Sequence, residues 1–234
     1  DPEDITEEDP STMEPSYLGN DEITKIILPE GFEVIGAYAF AGLTALEEVV
    51  LPSTLTKIQQ GAFEGCTSLR TVTGLEHVKF VNQNAFKDCV IENADFSSMV
   101  AIGNYAFENN VLQSVTLPAT AQSIGIGAFR NNGSMSALTI EADQVKLGSE
   151  AFANCSSLVS VDVNAAVIPS GVFDGCDMLV NVALGPDVAV VGAYAFRGTQ
   201  VSRFSVDDAN PNLSEAPNGT YLLSEDGTTL ILAA

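Results

Sequence analysis

The side chains that could do chemistry in this chain are few in kind. It has one histidine, four cysteines, no tryptophan, and 31 acidic residues against 9 lysines and arginines. A single imidazole cannot supply the two or three histidine ligands of common catalytic zinc sites, and it leaves one candidate for a histidine general base. That histidine stands in Gly74-Leu-Glu-His77-Val-Lys. No serine or cysteine nucleophile occupies a recognisable turn motif near it, so it reads as a surface histidine between strands. Cys66, Cys89, Cys155 and Cys176 lack the Cys-x2-Cys spacing of a structural zinc site. The oxygen-rich loops Asp207-Asp208-Ala-Asn210 and Glu225-Asp226-Gly227 lack the spaced carboxylates of a dedicated calcium loop and read as solvated turns. Asn-x-Ser/Thr triplets at Asn132, Asn154, Asn212 and Asn218 are short, frequent patterns. The residues thus argue against an enzyme, and no cofactor or metal is expected.

Charge narrows the partners. The formal charge is −22 and the isoelectric point about 4.1. Nine scattered cations assemble no basic patch, so nucleic acid is not an expected partner. No apolar run reaches the ~18 residues of a membrane span, so no membrane insertion of this region is expected. Apolar residues are 46% of the chain and charged residues 17%, a composition that folds. Residues 1–22 hold nine acids, three prolines and no cation, and are expected to form a solvated, flexible arm. The first residue is Asp1 rather than Met, which suggests a processed or truncated form.

What must position any functional residue is a repeat. Ala-Phe occurs at Phe40, Phe63, Phe86, Phe107, Phe129, Phe152 and Phe196, and Val172-Phe173 fills the remaining slot. The intervals between these phenylalanines are 23, 23, 21, 22, 23, 21 and 23 residues. Five residues before each stands an aliphatic: Ile35, Ile58, Val81, Ile102, Ile124, Leu147, Ile168 and Val191. Three residues after come Leu43, Cys66, Cys89, Asn110, Asn132, Cys155, Cys176 and Thr199. All four cysteines share this one column, and two readings stay open: buried free thiols, or disulfides Cys66–Cys89 and Cys155–Cys176 between neighbouring coils. Next comes a short alternating stretch such as Leu112-Gln-Ser-Val115-Thr-Leu117-Pro118, the signature of a strand ended by proline. One unit of about 22 residues cannot bury its own apolar face, whereas stacked units make a continuous core of ladders, Phe on Phe and Leu on Leu.

The fold expected is a solenoid of stacked repeats, β-dominated within the α/β repeat class. It has about nine right-handed coils of 21–23 residues over 23–206. One parallel sheet forms a face, with short irregular or helical turns opposite. Residues 207–234 are expected to form a C-terminal cap, a β-hairpin turning at Asp226-Gly227. Cys89 to Met99 and Asn131 to Gln144 depart from the pattern in length or phase.

The pattern Ala62-Phe63-Glu-Gly-Cys66-Thr-Ser-Leu69, repeated as Ala151-Phe152-Ala-Asn-Cys155-Ser-Ser-Leu158, resembles the BspA-like leucine-rich repeats of bacterial surface proteins. The resemblance covers roughly residues 23–206, and Asn210-Pro-Asn212 with Gly219-Thr-Tyr221 to Leu230 resembles the family's terminal segment. It implies that the coils form a leucine-rich-repeat solenoid, and that the chain is a non-catalytic binding or adhesion module of a bacterial surface or secreted protein, its signal sequence removed, with an extracellular protein or glycan as partner. A passive spacer holding another domain is the alternative; an enzyme is a remote one.

Strand alternation puts two columns on the solvent side of the sheet. One runs Ile27, Val50, Thr73, Asp95, Thr116, Thr139, Asp162, Ala183, Ser205; the other Lys25, Glu48, Thr71, Asn93, Ser114, Ala137, Ser160, Asn181, Arg203. Solenoids commonly bind through such extended faces. The candidate partner-binding residues are therefore Thr71, Thr73, Asn93, Asp95, Ser114, Thr116, Thr139, Ser160, Asp162 and Asn181, weighed against plain solvation of a threonine-rich sheet. Charges on the two columns are few, so a partner held there is expected to respond weakly to salt. Tyr38, Tyr105 and Tyr194 form an irregular aromatic column elsewhere.

Overall fold

The computed structural model describes residues 22–142, 144–219 and 221–224, together with the backbone of Leu230–Ala233. The acidic segment 1–22 lies outside the described residues except for Glu22. The chain winds as a parallel β-solenoid. Its main face is built from the rungs Lys25–Ile27, Glu48–Val50, Thr71–Thr73, Ser114–Leu117, Ala137–Ile140, Ser160–Val163, Asn181–Leu184 and Arg203–Val206. At the fourth position the rung shrinks to one isolated bridge, Thr71 to Asn93. Nine rung positions enclose about eight turns, in keeping with the approximate count expected.

The register follows the two columns. Ile27 pairs with Val50 and Val50 with Thr73, Thr116 with Thr139, and Asp162 with Ala183 and then Ser205. Side chains between them point inward: Val49, Val72, Val115, Leu138, Val161 and Val182 are buried. The ladder is continuous over the first three rungs, over the fifth and sixth, and over the last three.

A second parallel ladder corrects the expectation of one sheet. Two-residue strands run from Val34–Ile35 through Lys57–Ile58, Phe80–Val81, Ala101–Ile102 and Ser123–Ile124 to Lys146–Leu147. Val167–Ile168 and Val190–Val191 form a further pair. The inward aliphatics five residues before each phenylalanine are the inner members of this ladder, buried except for the partly buried Leu147 and Val191; a strand of two residues is too short to show alternation. The turns opposite are not helical. Among the described residues the only helix is one 3-10 turn, Leu75–His77, directly after the third rung.

Phenylalanines form the spine of the core. Successive rings from Phe40 to Phe196 stack with centroids 5.1–5.8 Å apart, within the favourable range for offset aromatic pairs. Each ring sits in a tight turn whose residues at two before and two after the phenylalanine have positive φ. The later set is Gly42, Gly65, Asp88, Asn109, Asn131, Asn154, Gly175 and Gly198, with φ from 59° to 74°. Left-handed backbone suits glycine, asparagine and aspartate, which explains that column. The earlier set is Tyr38, Gly61, Asn84, Tyr105, Gly127, Glu150, Gly171 and Tyr194. A Cβ on Gly61 would lie 2.3 Å from the Tyr38 ring, and one on Gly127 2.7 Å from Tyr105. Tyr38 and Tyr105 therefore lie over the glycine of the next coil, while Tyr194 carries the Arg197 guanidinium over its ring, 5.0 Å from the centroid.

The column that holds the cysteines has one shared task. Cys66, Cys89, Cys155 and Cys176 are buried free thiols, which decides between the two open readings. Each Sγ donates to a phenylalanine carbonyl of the preceding coil, at 3.1 Å to Phe40, 3.2 Å to Phe63, 3.5 Å to Phe129 and 3.2 Å to Phe152. Asn110 and Asn132 donate Nδ2 to Phe86 and Phe107 in the same way, and accept the Ile91 and Leu112 amides on Oδ1. The column selects a small side chain that can donate, because a buried carbonyl left unpaired is costly.

After Val206 the chain leaves the solenoid. Leu213–Glu215, Tyr221–Ser224 and Leu230–Ala233 form an antiparallel sheet, with one strand more than a hairpin. The expected Asp226-Gly227 turn lies outside the described residues. Asn210 is buried and organises the junction: its Nδ2 donates to the Gly185 and Val188 carbonyls, and its Oδ1 accepts the Asn212 and Leu213 amides. This loop is an asparagine-centred turn.

Candidate functional site

The ten candidate residues are all exposed and all lie on the main sheet face. Except at Asn93, held by one bridge, and Asp95, their backbone is held by rungs whose alternate side chains are core, so their direction is set by packing beneath them. The structure gathers them into two hollows. Thr71, Thr73, Asn93, Asp95, Ser114 and Thr116 line an open groove of about 1010 Å³ centred on the fourth position. Ser160, Asp162 and Asn181 line a smaller one of about 320 Å³, together with Arg203 and Ser205. Thr139 lies on the rung between the hollows and lines neither.

The groove exists because the fourth coil is irregular. The interval from Phe86 to Phe107 is 21 residues, and residues 92–96 make one bridge in place of a strand. Phe96 takes the place that Leu51 and Leu117 hold in other coils and turns its ring into the core, edge-on to Phe107 at 5.2 Å and to Phe129 at 5.6 Å. The same place in the coil before belongs to Gly74, at φ 88°, where a Cβ would lie 2.3 Å from the Leu51 carbonyl oxygen. A large side chain and a missing one sit side by side, and both residues line the groove.

The polar groups of this face are open. The hydroxyls of Thr71, Ser114, Thr116, Thr139 and Ser160, and the carboxamides of Asn93 and Asn181, have no hydrogen-bond partner among the described residues; Thr73 makes only a long contact, 3.5 Å, to the Val49 carbonyl. The turn edge of the solenoid is the opposite case. There Asp88, Asn109, Asn131 and Asn154 form a side-chain ladder. Arg130 joins Glu108 and Glu150, with Lys87 also on Glu108, and Arg197 pairs with Asp174. Side chains at the turn edge satisfy one another, whereas on the sheet face only Lys25 and Glu48 form an ion pair and the hydroxyls and carboxamides wait for solvent or a partner.

Reading two columns missed part of the groove. Arg70, Glu76, Glu92, Ser97 and Glu141 also line it. They stand just outside the rungs, and the signal was available in the residues that flank each strand. His77 is exposed, with Nε2 3.7 Å from Glu76 Oε1, beside the groove and away from any nucleophile. Among the described residues no group of three histidine, cysteine or acidic side chains is placed to hold a metal ion, and no helix is long and apolar enough to cross a membrane. Burial pushes every thiol up: Cys66 to about 11, Cys176 to about 12, and Cys89 and Cys155 well above the ordinary range. A thiol so shielded is no nucleophile at neutral pH.

Comparison with known proteins agrees with this architecture. The model of the BspA type leucine-rich repeat region matches residues 13–110 and 100–216, in six copies. A leucine-rich repeat protein from Bacteroides ovatus superposes with a TM-score of 0.54 at 20% identity, over 77% of this chain and 66% of that one. The leucine-rich repeat protein of T. pallidum superposes with a TM-score of 0.52 at 25% identity, over 80% of each chain. No curated protein matches the sequence. The family match spans most of the repeats, and the solved structures share the winding: the chain belongs to the BspA-type leucine-rich repeat family.

Proposed function

We propose that this protein is a non-catalytic recognition module of a bacterial surface or secreted protein. It binds an extracellular protein or glycan through the main sheet face. The observation that carries this reading is the contrast between the two sides of the solenoid. Hydroxyls and carboxamides on the sheet are exposed and unpartnered, while polar side chains at the turn edge pair with one another. A long surface of small polar groups suits an extended ligand better than a small molecule, which needs a concave, largely apolar pocket. The surface or secreted setting follows from the family resemblance.

The test is a binding screen of the purified domain against immobilised extracellular-matrix proteins, mucin and a glycan array. It is run in parallel with a variant carrying Thr73→Lys, Thr116→Lys and Thr139→Lys. The three lysines block the face and leave the core untouched, so partner binding is lost while the melting temperature stays put, since exposed substitutions shift stability by under about 0.5 kcal/mol. A partner bound equally well by the variant would move the site off the sheet. A domain that binds nothing across the screen would favour a spacer.

A further inference from the structure

The groove at the fourth rung differs from the rest of the face in its charge. Glu76, Glu92, Asp95 and Glu141 line it, against Arg70 alone among cations. Glu92 and Glu141 have no partner among the described residues, and Asp95 accepts only the Ser97 amide, at 2.9 Å. The other cations lie elsewhere: Lys25 is on Glu48, Lys87 and Arg130 are on Glu108, Arg197 is on Asp174, and Lys57, Lys79 and Lys146 stand on or beside the second ladder. The second hollow has one acid and one base, Asp162 and Arg203.

We propose that the groove at the fourth rung seats an extended polypeptide segment bearing lysine or arginine. The inference rests on the sheet face being the recognition surface and names the chemistry of its partner. The acids are distributed from the third coil to the sixth, and no three acidic, histidine or cysteine side chains among the described residues converge as metal ligands. Such spacing suits several cations carried along a chain rather than one ion. Four rungs at about 4.8 Å give a groove about 14 Å long, the reach of about four extended residues. The open hydroxyls of Thr71, Ser114 and Thr116 and the carboxamide of Asn93 supply hydrogen-bonding groups for the main chain of that segment. The two columns alone argued for weak salt dependence; the rim carboxylates reverse that at this groove, because exposed charge pairs are screened.

The probe is a dye-labelled peptide of alternating lysine and serine, with a glutamate–serine peptide as its counterpart, followed by fluorescence anisotropy. The lysine peptide binds saturably and the glutamate peptide does not. Raising salt from about 20 mM to about 200 mM weakens binding, as the Debye length falls from about 20 Å to about 7 Å. The exposed, isosteric triple variant Glu92→Gln, Asp95→Asn, Glu141→Gln weakens it roughly tenfold, each exposed pair being worth up to a factor of about five. Asp162→Asn in the second hollow leaves it unchanged. Equal affinity of the triple variant, or no saturable binding of the lysine peptide, overturns the proposal. If the lysine peptide fails but a screened partner is still lost from the Thr73, Thr116 and Thr139 lysine variant, the cationic occupant is wrong and the sheet-face reading stands. If that partner is retained, the sheet-face reading falls as well.

Discussion

Replacing Phe129 with alanine tests the register on which every assignment above depends. Phe129 is fully buried in a central coil. Its ring stacks at 5.6 Å on Phe107 and at 5.4 Å on Phe152, and the edge of Phe96 meets it at 5.6 Å. Truncating a buried phenylalanine costs about 3–5 kcal/mol, the higher values arising where the surroundings cannot collapse. Collapse is prevented here, because the neighbouring coils are held apart by backbone ladders. The Phe129 amide donates to the Ala151 carbonyl at 2.8 Å, and its carbonyl accepts from Cys155 and Asn132. Three aromatic contacts are also lost, each worth about 0.5–1.5 kcal/mol beyond area. These are partly contained in the truncation figure, so the expectation is the upper half of its range, about 4–5 kcal/mol. Urea denaturation followed by circular dichroism reads it as a lower midpoint at an unchanged slope. Phe196→Ala, at the end of the stack and 9% exposed, costs less. A loss below about 1.5 kcal/mol for Phe129→Ala would take the ring out of the core and refute the register.

Other consequences follow from the donor column. The four thiols resist a disulfide-exchange reagent in the native state and all react after unfolding, as counted by absorbance; fast reaction of any one in the folded protein contradicts its burial. Their folded pKa values lie above the unfolded ones, so the folded state holds protons that the unfolded state releases. Stability is therefore full below about pH 9 and declines as pH rises towards 11 for Cys66 and 12 for Cys176, by about 1.4 kcal/mol per pH unit for each thiol. Melts between pH 8 and pH 11 in about half-unit steps check the sign, and Cys176→Ser should lessen the slope. Asn132→Leu strands the Phe107 carbonyl and the Leu112 amide and costs about 2–3 kcal/mol in a denaturant melt, whereas Asn132→Cys, which restores the donor used in four other coils, costs less.

The legible part of this fold is what repeats with a long period. The phenylalanine spine, the inward aliphatics and the solvent-facing columns each recur at 21–23 residues, and stacking turns each recurrence into a ladder. The second sheet was hidden because its strands are two residues long. What the cysteine column does was half visible: Cys, Asn and Thr share a donor, but the acceptor of each Cys and Asn belongs to another coil and emerges only when coils are stacked. The groove arises where the repeat fails, at Gly74 and Phe96. A reading that follows columns marks that segment as irregular and has no means to shape it. Glu76, Glu92 and Glu141 escaped for the same reason, since they flank the rungs and are not members of either column.

The central claim is that recognition occurs on the main sheet face. Amide hydrogen–deuterium exchange of the domain, free and saturated with a partner from the matrix, mucin and glycan screen, locates the contact directly. The account expects added protection confined to residues 70–76, 92–97, 114–118 and the later rungs 137–140, 160–163 and 181–184, with the Phe turns unchanged. Protection confined to the turn edge around Asn109, Asn131 and Asn154, with none on the rungs, would contradict it.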